Sequence, residues 1–297
     1  MSGGEAASRD SRAPGPPGRV ARLLLAPLVA WAIAFTVLPT AILVACSVGR
    51  RGTLGGVEPV FSLAGWGRLL DPAVRVVLAR SVAWAGLATL TCLVLAVPTA
   101  WTIARSAPRR RAWLLAAVVV PFWTSFLVRV YAWVTILKGE GLLNGALLAA
   151  GLVSAPIEML YTPGAVLLGL VHTFLPFAIL PIYATAEALD PALVEAAADL
   201  GAGPVRTFRD VLLPLLRPGL AAAALLVFVP ALGLYALNDV LGGGRVDMIG
   251  NLVADQFTGA ARDWPFGAAL SVALLLAFAV AWRLAGRGGA LAAGFDR

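Results

Sequence analysis

The sequence predicts an all-α integral membrane protein of six kinked transmembrane helices, and three observations carry that expectation. Of its 297 residues 60% are hydrophobic and only 13% charged, whereas soluble domains run near a quarter charged. The apolar residues come in runs of roughly twenty, the length that crosses a hydrocarbon core of about 30 Å. The short apolar strands and intervening amphipathic helices of a soluble α/β protein do not occur.

Taken in order, residues 1–18 (MSGGEAASRDSRAPGPPG) are rich in Pro, Gly, Ser and Arg and cannot bury a core, so 1–20 is expected to be a disordered cytoplasmic tail. The first apolar run comes too late and runs too long for an ordinary secretory signal. Spans are expected at roughly 21–47, 79–104, 112–137, 163–189, 216–237 and 266–285, within a membrane domain covering 21–290. Lipid offers no water to orphan amides, so each span reads as an α-helix. Pro39, Pro98, Pro121, Pro176, Pro181 and Pro230 fall inside these runs and should kink or open them. So many kinks suit a bundle with a cavity better than a simple anchor.

Orientation follows from the basic residues between spans. With the N-terminus cytoplasmic, the inner segments hold fourteen arginines: 9, 12, 19, 22, 105, 109–111, 206, 209, 217, 283, 287 and 297. The outer ones hold eight basic residues: Arg50, Arg51, Arg68, Arg75, Arg80, Lys138, Arg245 and Arg262. The imbalance favours both termini inside, although the Arg-rich first outer loop weakens it. The net charge of +7 is not a nucleic-acid signal, because the arginines are scattered between apolar runs rather than forming a basic face. Cys46 and Cys92 lie in apolar runs and read as small core residues.

Residues 195–214, EAAADLGAGPVRTFRDVLLP, interrupt this pattern with acids, arginines and glycines. They lie on the cytoplasmic side, between the fourth and fifth spans, in a loop of about 190–215. Asp190-Pro191 can cap and open a short helix through Glu195, Ala196, Ala197 and Asp199. Gly201 would stop it, and Ala202-Gly203-Pro204 would turn the chain into a second helix. By composition this is either a solvated loop or a small-faced helix shaped for a groove.

The spacing here resembles the EAA loop of ABC importer permeases. That pattern is E-A-A, three residues, G, nine residues, I, one residue, L-P. Glu195-Ala196-Ala197, Gly201, Leu213 and Pro214 meet it, with Val211 in place of the usual isoleucine. The segments PFWTSFLVRVYAWVTILKGEGLLN (121–144), LPFAILPIYATAEALDPALVEAAADLGA (175–202), LGGGRVDMIGNLVADQF (241–257) and RDWPFGAALSVAL (262–274) are similar to the first permease of spermidine/putrescine-type importers.

The resemblance implies a type I ABC importer transmembrane domain in a bacterial inner membrane, with the loop as a coupling helix docked on a cytoplasmic ATPase dimer. It also implies a second permease subunit, an extracytoplasmic binding protein and a polyamine or related small solute. ATP and Mg would belong to the partner ATPase, and this chain would carry no cofactor. The chain agrees in lacking G-x-x-x-x-G-K-[ST]. Its one lysine, Lys138 in TILKGEG, has no matching glycine upstream and no Ser or Thr after it, so it cannot cradle phosphates that way.

Other candidates are weaker. Arg129, in the outer half of the third span, either snorkels to the interface beside Tyr131 and Trp133 or lines a gate, since a central arginine rarely faces lipid. His172, the sole histidine, has no ligands at metal spacing and favours packing over a translocation role. Glu187 is expected at the cytoplasmic interface. Asp239, Asp247, Asp255 and Asp263 of the last outer loop, against Arg245 and Arg262, either favour a cationic solute through their field or form a charge-balanced loop.

A sister importer for an inorganic anion, phosphonate, opine or sugar remains the nearest alternative. A secondary transporter would need intramembrane acids, and none lies well inside a span. A membrane enzyme would need a clustered nucleophile, base or metal set, which His172 alone does not supply.

Overall fold

The computed structural model describes residues 19–53, 55–259 and 262–287. The tail expected over 1–20 therefore lies outside the described residues except for Arg19 and Val20, which open the first helix. Arg9, Arg12 and Arg297 of the inner basic set also lie outside them.

Helix α1 runs over 19–47 as Arg19–Ala32, a π turn Ile33–Val37 and Leu38–Ser47. Pro39 cannot donate to Phe35, and the wider turn just before it takes up that loss. At Pro39 the disturbance is a π turn, and the helix continues through it. A two-residue antiparallel pairing of Arg50–Arg51 with Val57–Glu58 and a one-turn helix, Ala64–Gly67, lead to α2.

Helix α2 is Pro72–Ala104, 33 residues, and begins seven residues before the expected span. Asp71-Pro72 opens it, so Arg75 and Arg80 belong to its first turns and not to an outer loop. At 1.5 Å per residue it is roughly 50 Å long, longer than the hydrocarbon core, and its first turns can stand clear of lipid.

The expected third span is not one helix. α3, Pro108–Trp123, and the following Phe126–Ala149 stretch meet at 93°. Pro121 interrupts the ladder, and Thr124 and Ser125 are extended. α4 is Phe126–Leu137 and α5 is Leu142–Ala149. In α5 the fully buried Asn144 donates to the carbonyls of Lys138 (3.2 Å) and Ile157 (2.9 Å) and accepts from Ile157 N (2.8 Å).

Helix α6, Pro163–Glu187, starts at the Thr162 cap, whose hydroxyl accepts from Ala165 N. Then come α7, Ala192–Asp199, and α8, Pro204–Leu215, which meets α9, Arg217–Gly233, at 70°. The expected fifth span ends early, at Gly233, and α10, Tyr235–Gly242, restarts after the break at Leu234. Gly233 is crowded there: a Cβ on Gly250 would stand 2.7 Å from its carbonyl oxygen. α11 is Ile249–Thr258 and α12 is Trp264–Arg287.

The core is the seam of α2, α6 and α9. On α2, Ala85, Ala88, Cys92, Ala96 and Ala100 are fully buried at spacings of three and four, one helix face. They meet Val166, Leu170, Ala178, Ile182 and Ala186 of α6 and Ala223, Val227 and Ala231 of α9. Lipid supplies no hydrophobic drive between helices, so close backbone approach must come from small side chains. Gly219 shows how close: a Cβ there would fall 2.8 Å from the Pro181 carbonyl.

By length and composition, three described helices can each cross a membrane, and each bent pair counted as one span brings the total to five. Trp264–Val280 of α12 is a shorter apolar helix. Among the described residues the expected third span is bent by 93°, while the 70° corner lies between the loop helix α8 and α9, so length and composition alone do not reach a count of six.

Candidate functional site

Residues 190–215, between α6 and α9, fold into the two short helices α7 and α8, joined at a glycine corner. The Asp190 carboxylate accepts from Ala192 N at 2.9 Å, so Asp190 caps α7 as its spacing predicts, and the helix proper begins at Ala192, two residues on. Glu195 sits in the first turn, where the helix dipole favours a negative charge.

At the other end Gly201 N reaches the Ala198 carbonyl (2.9 Å) and Ala202 N the Ala197 carbonyl (3.0 Å). This paired closure requires a left-handed residue, and Gly201 has φ +79°. A Cβ on Gly201 would meet nothing within 4 Å. The glycine is therefore needed for its backbone alone.

The face of α7 decides which residues can dock. Ala197 is buried at 8% exposure, turned inward, whereas Glu195, Ala196 and Asp199 are exposed. Leu193 (43% exposed), Ala196 and Leu200 (88%) fall at i, i+3 and i+7 and make one apolar stripe, extended past the corner by Val205 (79%). Large apolar side chains in water at an exposed tip mark a contact surface. Glu195 and Asp199 have no ion-pair partner among the described residues.

Thr207, buried, closes the corner through its amide to the Gly203 carbonyl (2.9 Å). Leu213 and Pro214 are half-buried in the last turn of α8. Between this loop and the second half of α2 lies an apolar groove of about 940 Å³, lined by Val94, Val97, Trp101, Ala198, Phe208 and Leu212 among others.

The 25 residues of α6 place a second site roughly 37 Å away, at the other end of the bundle. A pocket of about 480 Å³ there is lined by Tyr131, Val134, Tyr161, Asp239, Val240, Gly243 and Arg245. Tyr161 holds φ +61°, unusual for a residue with a bulky side chain. It lies against Gly243, whose added Cβ would stand 2.5 Å from the Tyr161 ring. Non-glycine strain of this kind clusters at functional sites. The Asp239 carboxylate accepts from Asn251 Nδ2 through one oxygen.

The structure does not gather the outer acids. Asp247 and Asp255 are exposed but do not line the pocket. Asp263 is buried, paired with Arg68 and 3.9 Å from Arg51, and accepts from Phe266 N to cap α12. Arg129 donates to the carbonyls of Pro121 (3.1 Å) and Thr124 (3.3 Å), with its guanidinium 4.5 Å over the Phe122 ring. It braces the break between α3 and α4, a role the sequence reading did not weigh. His172 lies edge-on to Trp133, ring centroids 5.5 Å apart.

Tyr161, the Leu193–Leu200 stripe and the inward turn of Ala197 escaped the sequence. Only the YTP triplet at 161–163, with its capping threonine, hinted at the first.

Residues 86–285 match the family model of the binding-protein-dependent transport system inner membrane component. The spermidine/putrescine transport system permease protein PotB of Salmonella typhimurium is 42% identical over 254 residues, 86% of this chain and 88% of that protein. Its Escherichia coli K12 counterpart is 42% identical over 253 residues, 85% of this chain and 92% of that one. A crystal structure of a bacterial alginate ABC transporter, in complex with alginate pentasaccharide-bound periplasmic protein, superimposes with a TM-score of 0.72 at 17% identity. That match covers 90% of this chain and 94% of the other, and shows the shared fold. With two thirds of its length inside the family model and close relatives along nearly all of it, the chain belongs to the inner membrane components of binding-protein-dependent transport systems.

Proposed function

We propose that this chain is the permease subunit of an ATP-driven importer of polyamines such as spermidine and putrescine. It lies in a bacterial inner membrane with both termini cytoplasmic, and α12 serves as the sixth crossing. The single observation that carries the reading is α7: a capped helix with an exposed apolar stripe and two acids that have no ion-pair partner among the described residues, at the position of the EAA loop. A cytoplasmic ATPase dimer docks there through Glu195, Ala196, Asp199 and the turn at Gly201, and its closure reaches the bundle through α8, whose Leu213-Pro214 turn joins α9. ATP and Mg belong to that partner, and this chain hydrolyses nothing itself.

A second permease covers the apolar faces left open along α1, and an extracytoplasmic binding protein delivers the solute to the other end. The names of the relatives supply the solute class. The outer pocket supports it, because a carboxylate beside two tyrosine rings suits an ammonium group. Arg245 lines the same pocket and is the observation that favours the second reading, a sister importer for an anionic solute. Nothing in this scheme engages nucleic acid.

The test is uptake of labelled spermidine by the reconstituted complex, competed with unlabelled putrescine, sulfate and a sugar. Putrescine is expected to compete. Competition by sulfate or the sugar alone would move the assignment to a sister importer.

A further inference from the structure

The turn between α2 and α3 ends in two arginines that both reach the root of the coupling helix. Arg111, in the first turn of α3, forms an ion pair with Glu187, the last residue of α6. Its Nη2 also donates to the carbonyl of Ala104, the last residue of α2 (2.9 Å), and its guanidinium approaches Ser106 O at 3.5 Å. From the other side of the turn, Arg105 Nη2 donates to Leu189 O at 3.2 Å, with its guanidinium 4.4 Å over the Trp101 ring.

Three helix ends therefore meet in one guanidinium. The C-terminus of α2 offers an unsatisfied carbonyl, which a cation answers well. The C-terminus of α6 offers the Glu187 carboxylate, and α3 carries the arginine. A planar fork can hold these partners in fixed directions, where an ammonium on a flexible stem could not.

The position of this knot matters more than its strength. α7 begins at Ala192, three residues after Leu189. α7 packs mainly on the α8 segment that follows it, and the apolar groove separates it from the facing side chains of α2. The clamp at Arg105 and Arg111 is then a polar link between the residues that lead into α7 and the α2–α3 pair.

We propose that Arg111 is a positioning residue for transport: through Glu187 it locks the root of the coupling helix to α2 and α3, so that a push on α7 moves these helices together. The proposal rests on the reading of α7 as the ATPase dock. The Arg111 and Glu187 side chains are 29% and 42% exposed, and half-exposed pairs add little to stability. Loss of the link is thus a loss of coupling rather than of fold.

The experiment uses the assembled complex in proteoliposomes and compares wild type with Arg111→Gln, Glu187→Gln, the double variant and Arg111→Lys. Three quantities are read: retention of the ATPase subunits, ATP hydrolysis, and solute taken up per ATP hydrolysed. Each glutamine variant is expected to keep its ATPase and its hydrolysis while uptake per ATP falls about tenfold, the factor given by 1.4 kcal/mol. The double variant should be no worse than either single one, since the pair acts as a unit. Arg111→Lys should recover part of the loss.

Unchanged uptake per ATP in both glutamine variants would overturn the proposal. So would additive losses, or a fall in uptake matched by a fall in ATPase retention, because these mark independent or purely structural roles. If Arg111→Gln does not assemble, Glu187→Gln alone decides, since it removes the charge from a half-exposed carboxylate. A wild-type chain that retains no ATPase would refute the docking reading itself, an outcome distinct from all of these.

Discussion

Gly201 and Arg129 show what a single residue contributes here. Gly201 occupies φ +79° with open space around its missing Cβ, so a substitution there is penalised by the backbone and not by a clash. Gly201→Ala is expected to weaken the closure of α7 by about 1–2 kcal/mol, and Gly201→Asn by less, because asparagine tolerates the left-handed region. Hydrogen exchange of the amides of Gly201 and Ala202 reads this directly; equal losses for the two variants would show that the conformation is not the cause. Arg129 spans the α3–α4 break with two carbonyl contacts. Hydrogen bonds to a charged group are worth about 1.5–3 kcal/mol, so Arg129→Ala should insert normally yet lower the thermal midpoint. Arg129→Lys should rescue part of the loss, because both carbonyls are reached from the single Nη1, and one ammonium can donate to both. Full stability of Arg129→Ala in detergent would return this arginine to a snorkelling role.

At the scale of elements, the sequence was informative wherever backbone chemistry leaves a residue signature. Asp190-Pro191 and Gly201 marked both ends of α7, and Pro121 marked the break after α3. Asp71-Pro72 is the same opening signal and would have placed the start of α2, but Arg75 and Arg80 interrupt the hydropathy and hide it. The 93° angle at Pro121 was not legible, since proline removes one hydrogen bond and leaves the direction to packing. Nor was the phase of α7, because eight residues with apolar side chains on more than one face do not say which is covered. That phase sets the choice of probe. Ala197, buried against the loop itself, reports intramolecular packing, so Ala197→Arg is expected to disrupt the loop locally. Ala196→Arg, in the exposed stripe between Leu193 and Leu200, should leave the helix intact and spoil only what docks on it. Limited proteolysis separates the two, with Ala197→Arg cut faster across 190–215 and Ala196→Arg cut as wild type. Identical digestion of both would contradict the orientation of α7.

At the scale of the whole molecule, the two candidate sites lie at opposite ends of one bundle, joined by the α2–α6–α9 seam. The small residues of that seam let three helices approach closely, and the proposed function puts the nucleotide chemistry on a partner chain. The purified chain is accordingly expected to bind no nucleotide, and saturable ATP binding by the isolated chain would break the scheme. The docking of an ATPase on α7 is its central claim, and co-purification of the ATPase with Ala196→Arg tests it most directly. A misplaced charge in a desolvated contact costs about 2–5 kcal/mol, which is roughly thirty- to several-thousand-fold in affinity. The expected result is a variant that inserts and digests as wild type but no longer retains the ATPase and no longer transports. Wild-type retention together with wild-type uptake would show that α7 is a solvated loop and not a dock.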